Sequence, residues 1–160
     1  MVACALLAVL GSGPLLAQAA PPAKVVKSIN RLFGKGARVD TLRVDTVQVL
    51  RVTRSDSLLG FARIGDVIGK DRPITFLVAI DPNDRLKDVD ILVYREPRGG
   101  EVAYEPWRKQ FRGKSAADSI GVGRNIRGIS GATISVHAVT AGVRRILDDL
   151  TTWHRQGVIE

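Results

Sequence analysis

The stretch Ser130-Gly131-Ala132-Thr133-Ile134-Ser135 concentrates hydroxyl and small side chains where a long helix is about to begin. Downstream of it, Val136, Val139, Val143, Ile146, Leu147 and Leu150 recur at helical spacing, with Arg144, Arg145, Asp148 and Asp149 between them. This spacing makes Ser130 the expected N-cap and puts Thr133 in the first helical turn. The backbone N–H groups of a first turn have no intrahelical acceptor, and the helix dipole adds partial positive charge there. Such an end is suited to a phosphate, and a hydroxyl held beside it is suited to carry a phosphoester. Gly131 adds a bare backbone to which a phosphate or a flat ring can come close. Ser130 and Ser135 offer further hydroxyl donors. On spacing alone, Thr133 is equally an ordinary helix-start residue.

Other chemistries fail on inventory. The one cysteine, Cys4, lies in an apolar N-terminal run, and the two histidines, His137 and His154, are far apart in the last helical region. Disulfides, thiolate metal sites and cysteine nucleophiles are thereby excluded from the rest of the chain, and no metal site is expected. No Ser-x-x-Lys or Gly-x-Ser-x-Gly pattern is arranged for nucleophilic catalysis. Gly121-x-Gly123 lacks dinucleotide-binding spacing and does not follow a strand. The net charge of +8 points towards anionic partners, but the 24 Lys and Arg are interleaved with 16 acids. No helix-turn-helix, zinc-finger or RNA-binding pattern accompanies them, so nucleic acid is not an expected partner.

The elements that must position the Ser130–Ser135 stretch are legible in outline. At 160 residues, 45% hydrophobic and 25% charged, the chain has room for one core. Residues 24–33 alternate basic and apolar side chains at helical spacing, with Gly34 and Gly36 to end the helix. Residues 44–53 and 58–68 read as strands. Over 74–80, Ile74, Phe76, Val78 and Ile80 share one face and Thr75, Leu77 and Ala79 the other, which predicts a central strand. Asp81-Pro82-Asn83-Asp84 is a turn, and residues 86–94 complete an antiparallel hairpin. Residues 102–111 read as helical. The glycine-rich stretch 113–131 is a loop long enough to be functional. The predicted fold class is α+β, an antiparallel sheet packed with helices. A single domain is expected over 24–152.

Residues 1–23 carry no charged side chain, and Ala17-Gln18-Ala19 is a small-x-small site before Ala20-Pro21-Pro22. The expectation is a signal peptide over 1–20 and an exported product, periplasmic or at the outer face of the cytoplasmic membrane. An uncleaved anchor is the alternative.

Ser-Gly-Ala-Thr-x-Ser opening a helix resembles the flavinylation motif of the FMN-binding domain family. Its members include the C subunit of the sodium-pumping NADH:quinone reductase and the G subunit of the Rnf complex. The segments Val93–Val102 and Trp107–Lys114 also resemble small exported members, so the likeness runs over about residues 60–150. The resemblance implies FMN as cofactor, at the N-terminus of the C-terminal helix and esterified through its phosphate to Thr133. Ser130, Gly131, Ala132 and Ser135 would lie around it. An FAD:protein FMN transferase would attach it, and membrane or periplasmic electron-transfer proteins would be its redox partners. The family pattern is Asp-x-x-Ser/Thr-Gly-Ala-Thr/Ser, and this chain has Arg127 where the Asp stands. Toward a flavin, Trp107 and Phe111 can flank the ring or fill the core. Lys114 can favour the reduced anionic form or point to water. Tyr94 and Glu96 either pack the flavin loop or cap the sheet. The implied function is that of an exported electron-transfer flavoprotein or redox subunit. The alternative is a non-redox module binding a phosphorylated ligand or a partner protein at the same helix end.

Overall fold

A computed structural model describes residues 21–160; the expected signal peptide lies outside the described residues. The element order is α1 (Ala23–Phe33), β1 (Arg38–Val44), β2 (Val47–Arg54), β3 (Ser57–Ile68), β4 (Pro73–Ile80), β5 (Leu86–Val93), α2 (Glu105–Arg108) and α3 (Thr133–Arg155). The five strands form one antiparallel sheet in the order β1-β2-β3-β4-β5, so each strand pairs with its neighbour in sequence. The class is α+β.

The sheet is covered on both faces, and the alternation of side chains decides which helix covers which. Val49, Phe61, Phe76, Val78, Ile80 and Val89 face α3, where Val136, Val139, Val143, Ile146, Leu147 and Leu150 are all buried. Leu50, Val52, Ala62, Leu77 and Ala79 face α1 and its Val25, Ile29 and Phe33. β4 is therefore apolar on both sides because it is buried on both sides. The helix α3 lies close to the sheet through two glycines. A Cβ on Gly142 would stand 2.7 Å from Phe76 and from Val67, and one on Gly65 would stand 2.5 Å from Ile146.

The first helix spans 23–33 and ends at Gly34, whose φ of +88° is one that glycine adopts without strain. The strand expected over 44–53 is β2 from Val47 onward, with a corner at its start. Val44 ends β1, Asp45 turns with φ +52°, and β2 begins at Val47. Polar side chains on the short edge strand β1 hide its alternation in the sequence. Ser55 and Asp56, both at positive φ, then connect β2 to β3 in the manner of a type I′ hairpin. The helix expected over 102–111 is broken. A 3₁₀ turn at Gly100–Ala103 leads into extended Tyr104, α2 follows for one turn, and a second 3₁₀ turn covers Lys109–Phe111.

The two ends of α3 are held differently. At its C-terminus Asp84, in the β4–β5 turn, accepts from His154 Nδ1 at 2.7 Å and Arg155 Nε at 2.9 Å. The Arg155 cation at the helix C-terminus is also favoured by the dipole. The N-terminus opens into a cleft.

Candidate functional site

The chain enters α3 through a tight turn. The Ala132 N–H donates to Ile129 O at 3.1 Å, and Gly131 between them has φ +79°, a conformation that glycine adopts without strain. Because this turn occupies Ser130 and Gly131, the helix begins two residues later than a Ser130 cap requires. Ala132 is the N-cap, Thr133 the first helical residue, and no side chain caps the helix. Val136 N–H makes the first helical bond, to Ala132 O at 2.9 Å. The N–H groups of Thr133, Ile134 and Ser135 thus have no acceptor within the helix.

Thr133 is exposed, as are Ser130 and Gly131, whereas Ala132 is buried. A Cβ on Gly131 would meet nothing within 4 Å, so its backbone faces open space. Thr133, Gly131 and Ser135 line a cleft of about 600 Å³, closed on its other side by Lys70, Glu96 and Arg98. Two cations, the carboxylates of Asp71 and Glu96, and a helix N-terminus therefore line one opening.

Each wall is pinned. Glu96 Oε1 accepts the backbone N–H groups of Asp71 at 2.7 Å and Arg72 at 2.8 Å, tying the β3–β4 turn that carries Lys70 to the segment after β5. These donors, Arg72 first, hold the Glu96 carboxyl below the usual carboxylate range. Tyr94 spends its one hydroxyl proton on Arg98 O. The 2.8 Å contact between Tyr94 Oη and Ser135 Oγ is then donated by Ser135. Gly99 packs beneath this pair: a Cβ there would stand 2.6 Å from Tyr94 Oη and 3.1 Å from Ser135 Oγ. Tyr94 and Glu96 thus both pin the cleft walls.

The structure separates the expected site residues into groups. Thr133, Gly131 and Ala132 line the cleft, and Ser130 lies on an adjoining one with Gly131. Ser135 lines it too, but its hydroxyl proton is committed to Tyr94, so it supports the wall and does not donate outward. Trp107 is buried in the core, edge-on to Phe111 with ring centres 5.2 Å apart. Its Nε1 donates to Arg127 O at 2.9 Å, and Arg127 N–H donates to Gln110 Oε1 at 2.8 Å. Trp107 thus holds the loop that leads into the site and presents no ring face to the cleft. Lys114 is at the wrong end of the molecule. Its carbonyl accepts from Leu86 N–H at 2.7 Å, two residues from the Asp84 that clamps the α3 C-terminus. The 23 residues of α3 put about 33 Å between that end and Thr133. Closeness to Phe111 along the chain does not carry over into space. Lys70 is not legible in the sequence as a site residue, because nothing local shows that the β3–β4 turn folds against residue 96.

The cleft fits a flavin nucleotide in kind. Its volume lies in the range of small-molecule sites, about 300–1,000 Å³. It offers cations and free N–H groups to a phosphate, a bare glycine backbone, and an exposed hydroxyl.

Comparison with known proteins bears on the same residues. A family model described as FMN-binding domain matches residues 69–148, from the turn that carries Lys70 to the body of α3. The G subunit of the proton-translocating ferredoxin:NAD(+) oxidoreductase complex of Clostridium ljungdahlii is 33% identical over 88 residues, covering 50% of this chain and 47% of that protein. The chain spans about half the length of this relative.

Proposed function

This chain belongs to the FMN-binding domain family, with FMN as its cofactor, and we propose that it carries the FMN on Thr133 and relays electrons outside the cytoplasm. The observation that supports this most directly is the exposed Thr133 hydroxyl at the uncapped start of α3, in a cleft whose opposite wall bears Lys70 and Arg98.

In this reading the chain's own residues do three things. The first-turn N–H groups and the two cations receive the phosphate. Tyr94, Ser135 and Glu96 fix the walls so that these groups converge without reorganising. Thr133 supplies the linking oxygen. A Thr133 Oγ–phosphorus bond replaces the bond between the two phosphates of FAD, AMP leaves, and the hydroxyl proton is given up. The FMN so held supplies one- and two-electron transfer. The attachment is the work of an FAD:protein FMN transferase, and the redox partners are membrane or periplasmic electron-transfer proteins. Such partners accord with a relative that belongs to an oxidoreductase complex. Export rests on the uncharged N-terminus and Ala17-Gln18-Ala19, with the mature chain starting near Ala20.

Co-expression with the transferase, followed by intact mass, tests the proposal. The expected product lacks residues 1–19 and carries one FMN phosphoester. Thr133→Ala should lose the added mass and the in-gel fluorescence; retention by that variant places the link elsewhere. Arg127 is exposed, with its backbone engaged on both sides. Arg127→Asp should therefore leave the fold intact and raise labelling if the motif's acidic residue guides the transferase. No adduct on either protein would rule out the phosphoester.

A further inference from the structure

A phosphate at Thr133 leaves open where the flat ring system lies, and the expected aromatic partner, Trp107, is in the core. A second cleft of about 420 Å³ adjoins the first, sharing Pro97, Arg98 and Gly131 with it. Gly99, Gly100 and Gly131 line it with little side chain, and Tyr104 stands at its side. Tyr104 is 65% exposed, the one aromatic among the exposed large hydrophobic residues described. Its backbone is nevertheless fixed. Its N–H donates to Glu101 O at 3.0 Å, and its carbonyl accepts from Trp107 and Arg108 N–H at 3.1 Å. A large ring on a fixed backbone costs little ordering when a partner stacks on it.

Resting on the proposed attachment to Thr133, we infer that the two clefts form one site divided at Arg98, and that Tyr104 is the platform for the isoalloxazine ring. The phosphate occupies the side with Lys70 and Thr133. The ring crosses Gly131 into the glycine-lined side and stacks on the phenol. Stacking on an aromatic face is the preferred packing of a flat π system, and the bare backbone of Gly131, which faces open space, leaves room for the crossing. The other face of the ring stays open to a redox partner. Trp107 serves this arrangement indirectly, by fixing the Arg127 carbonyl and with it the loop into Ser130.

The test uses the full chain co-expressed with the transferase. Tyrosine and tryptophan in contact with a flavin ring quench its fluorescence, and leucine does not. Flavin content is read by intact mass and visible absorbance, and fluorescence is expressed per bound flavin. Per bound flavin, Tyr104→Leu should fluoresce severalfold more than the parent, while Tyr104→Trp should stay quenched. Riboflavin, which has no phosphate, isolates the ring contact; its dissociation constant should rise about tenfold in Tyr104→Leu. Loaded Tyr104→Leu with the parent's fluorescence per flavin would overturn the platform while leaving the attachment to Thr133 standing. A parent chain that takes up no flavin would remove both.

Discussion

At the scale of single residues, the cleft is built by groups that act through their neighbours. Glu96 is the clearest case, since one carboxylate oxygen accepts two backbone N–H groups and sets the place of Lys70. Its pKa is depressed in the folded chain. The staple is therefore fully present above the unfolded carboxylate's pKa and is lost as pH falls through the lower, folded value. In an acid titration followed by amide NMR, the Asp71 and Arg72 signals should move together with a midpoint below the ordinary glutamate range. A midpoint at or above that range would show that the staple does not form in solution. Glu96→Gln keeps an acceptor oxygen and should abolish the titration. Legibility at this scale follows locality. The special role of Gly131 is readable because a turn before a helix is a local affair. Ser130 is the expected cap and does not cap, because that same turn consumes it. Lys114 fails as a tuning charge because tuning needs proximity in space. Lys114 lies beside the start of β5, near the turn that clamps the far end of α3, and does not line the cleft at Thr133.

Among the elements, α3 carries both the site and the largest share of the core. Its apolar stripe is plain in the sequence, as are the apolar faces of β4 and the hairpin that joins β4 to β5. The β1 edge strand and the break at Tyr104 are not, since neither has a strong period and both are set by packing. The depth to which α3 settles on the sheet is set by Gly142, which has Phe76 and Val67 against it. Gly142→Ala gains about 1 kcal/mol in helix propensity and loses about 1–3 kcal/mol to overpacking. The expected net loss is up to about 2 kcal/mol, seen as a lower denaturation midpoint with an unchanged m value. A midpoint above that of the parent would mean that the helix rides higher than described.

For the molecule as a whole, the joint between α1 and the rest is ionic as well as apolar. Asp88 on β5 is nearly fully buried and meets Arg112 at 2.9 Å, Arg108 at 3.3 Å and Arg31 at 3.4 Å. Asp90 beside it takes Arg31 at 3.0 Å and the Ser28 hydroxyl. Arg108 is itself buried and also donates to Val89 O and Ala103 O. The network joins α1, β5 and α2, and no sequence pattern announces it, because its members lie up to some eighty residues apart along the chain. Asp88→Asn leaves the buried Arg108 charge with only Asp90, 3.9 Å away, as counter-ion and should cost about 3 kcal/mol. Arg31→Met removes a half-exposed partner and should cost about 1 kcal/mol or less. Equal losses in chemical denaturation would refute this ranking.

The strict neighbour-to-neighbour order of the sheet also governs timing. Each hairpin can close as soon as its second strand is available, because its partner is the strand just before it. The face bearing Phe76, Val78 and Ile80 has no such early partner. Much of its cover is α3, the last of the described elements, with Trp107 and Phe111 beside it. Until α3 docks, the chain therefore holds a formed or forming sheet with much of one greasy side bare, wherever the proposed exported product folds. Completion of the cofactor cleft coincides with that last step, since Thr133 reaches Lys70 and Arg98 only when α3 docks. Without α3 docked, the first cleft lacks one wall.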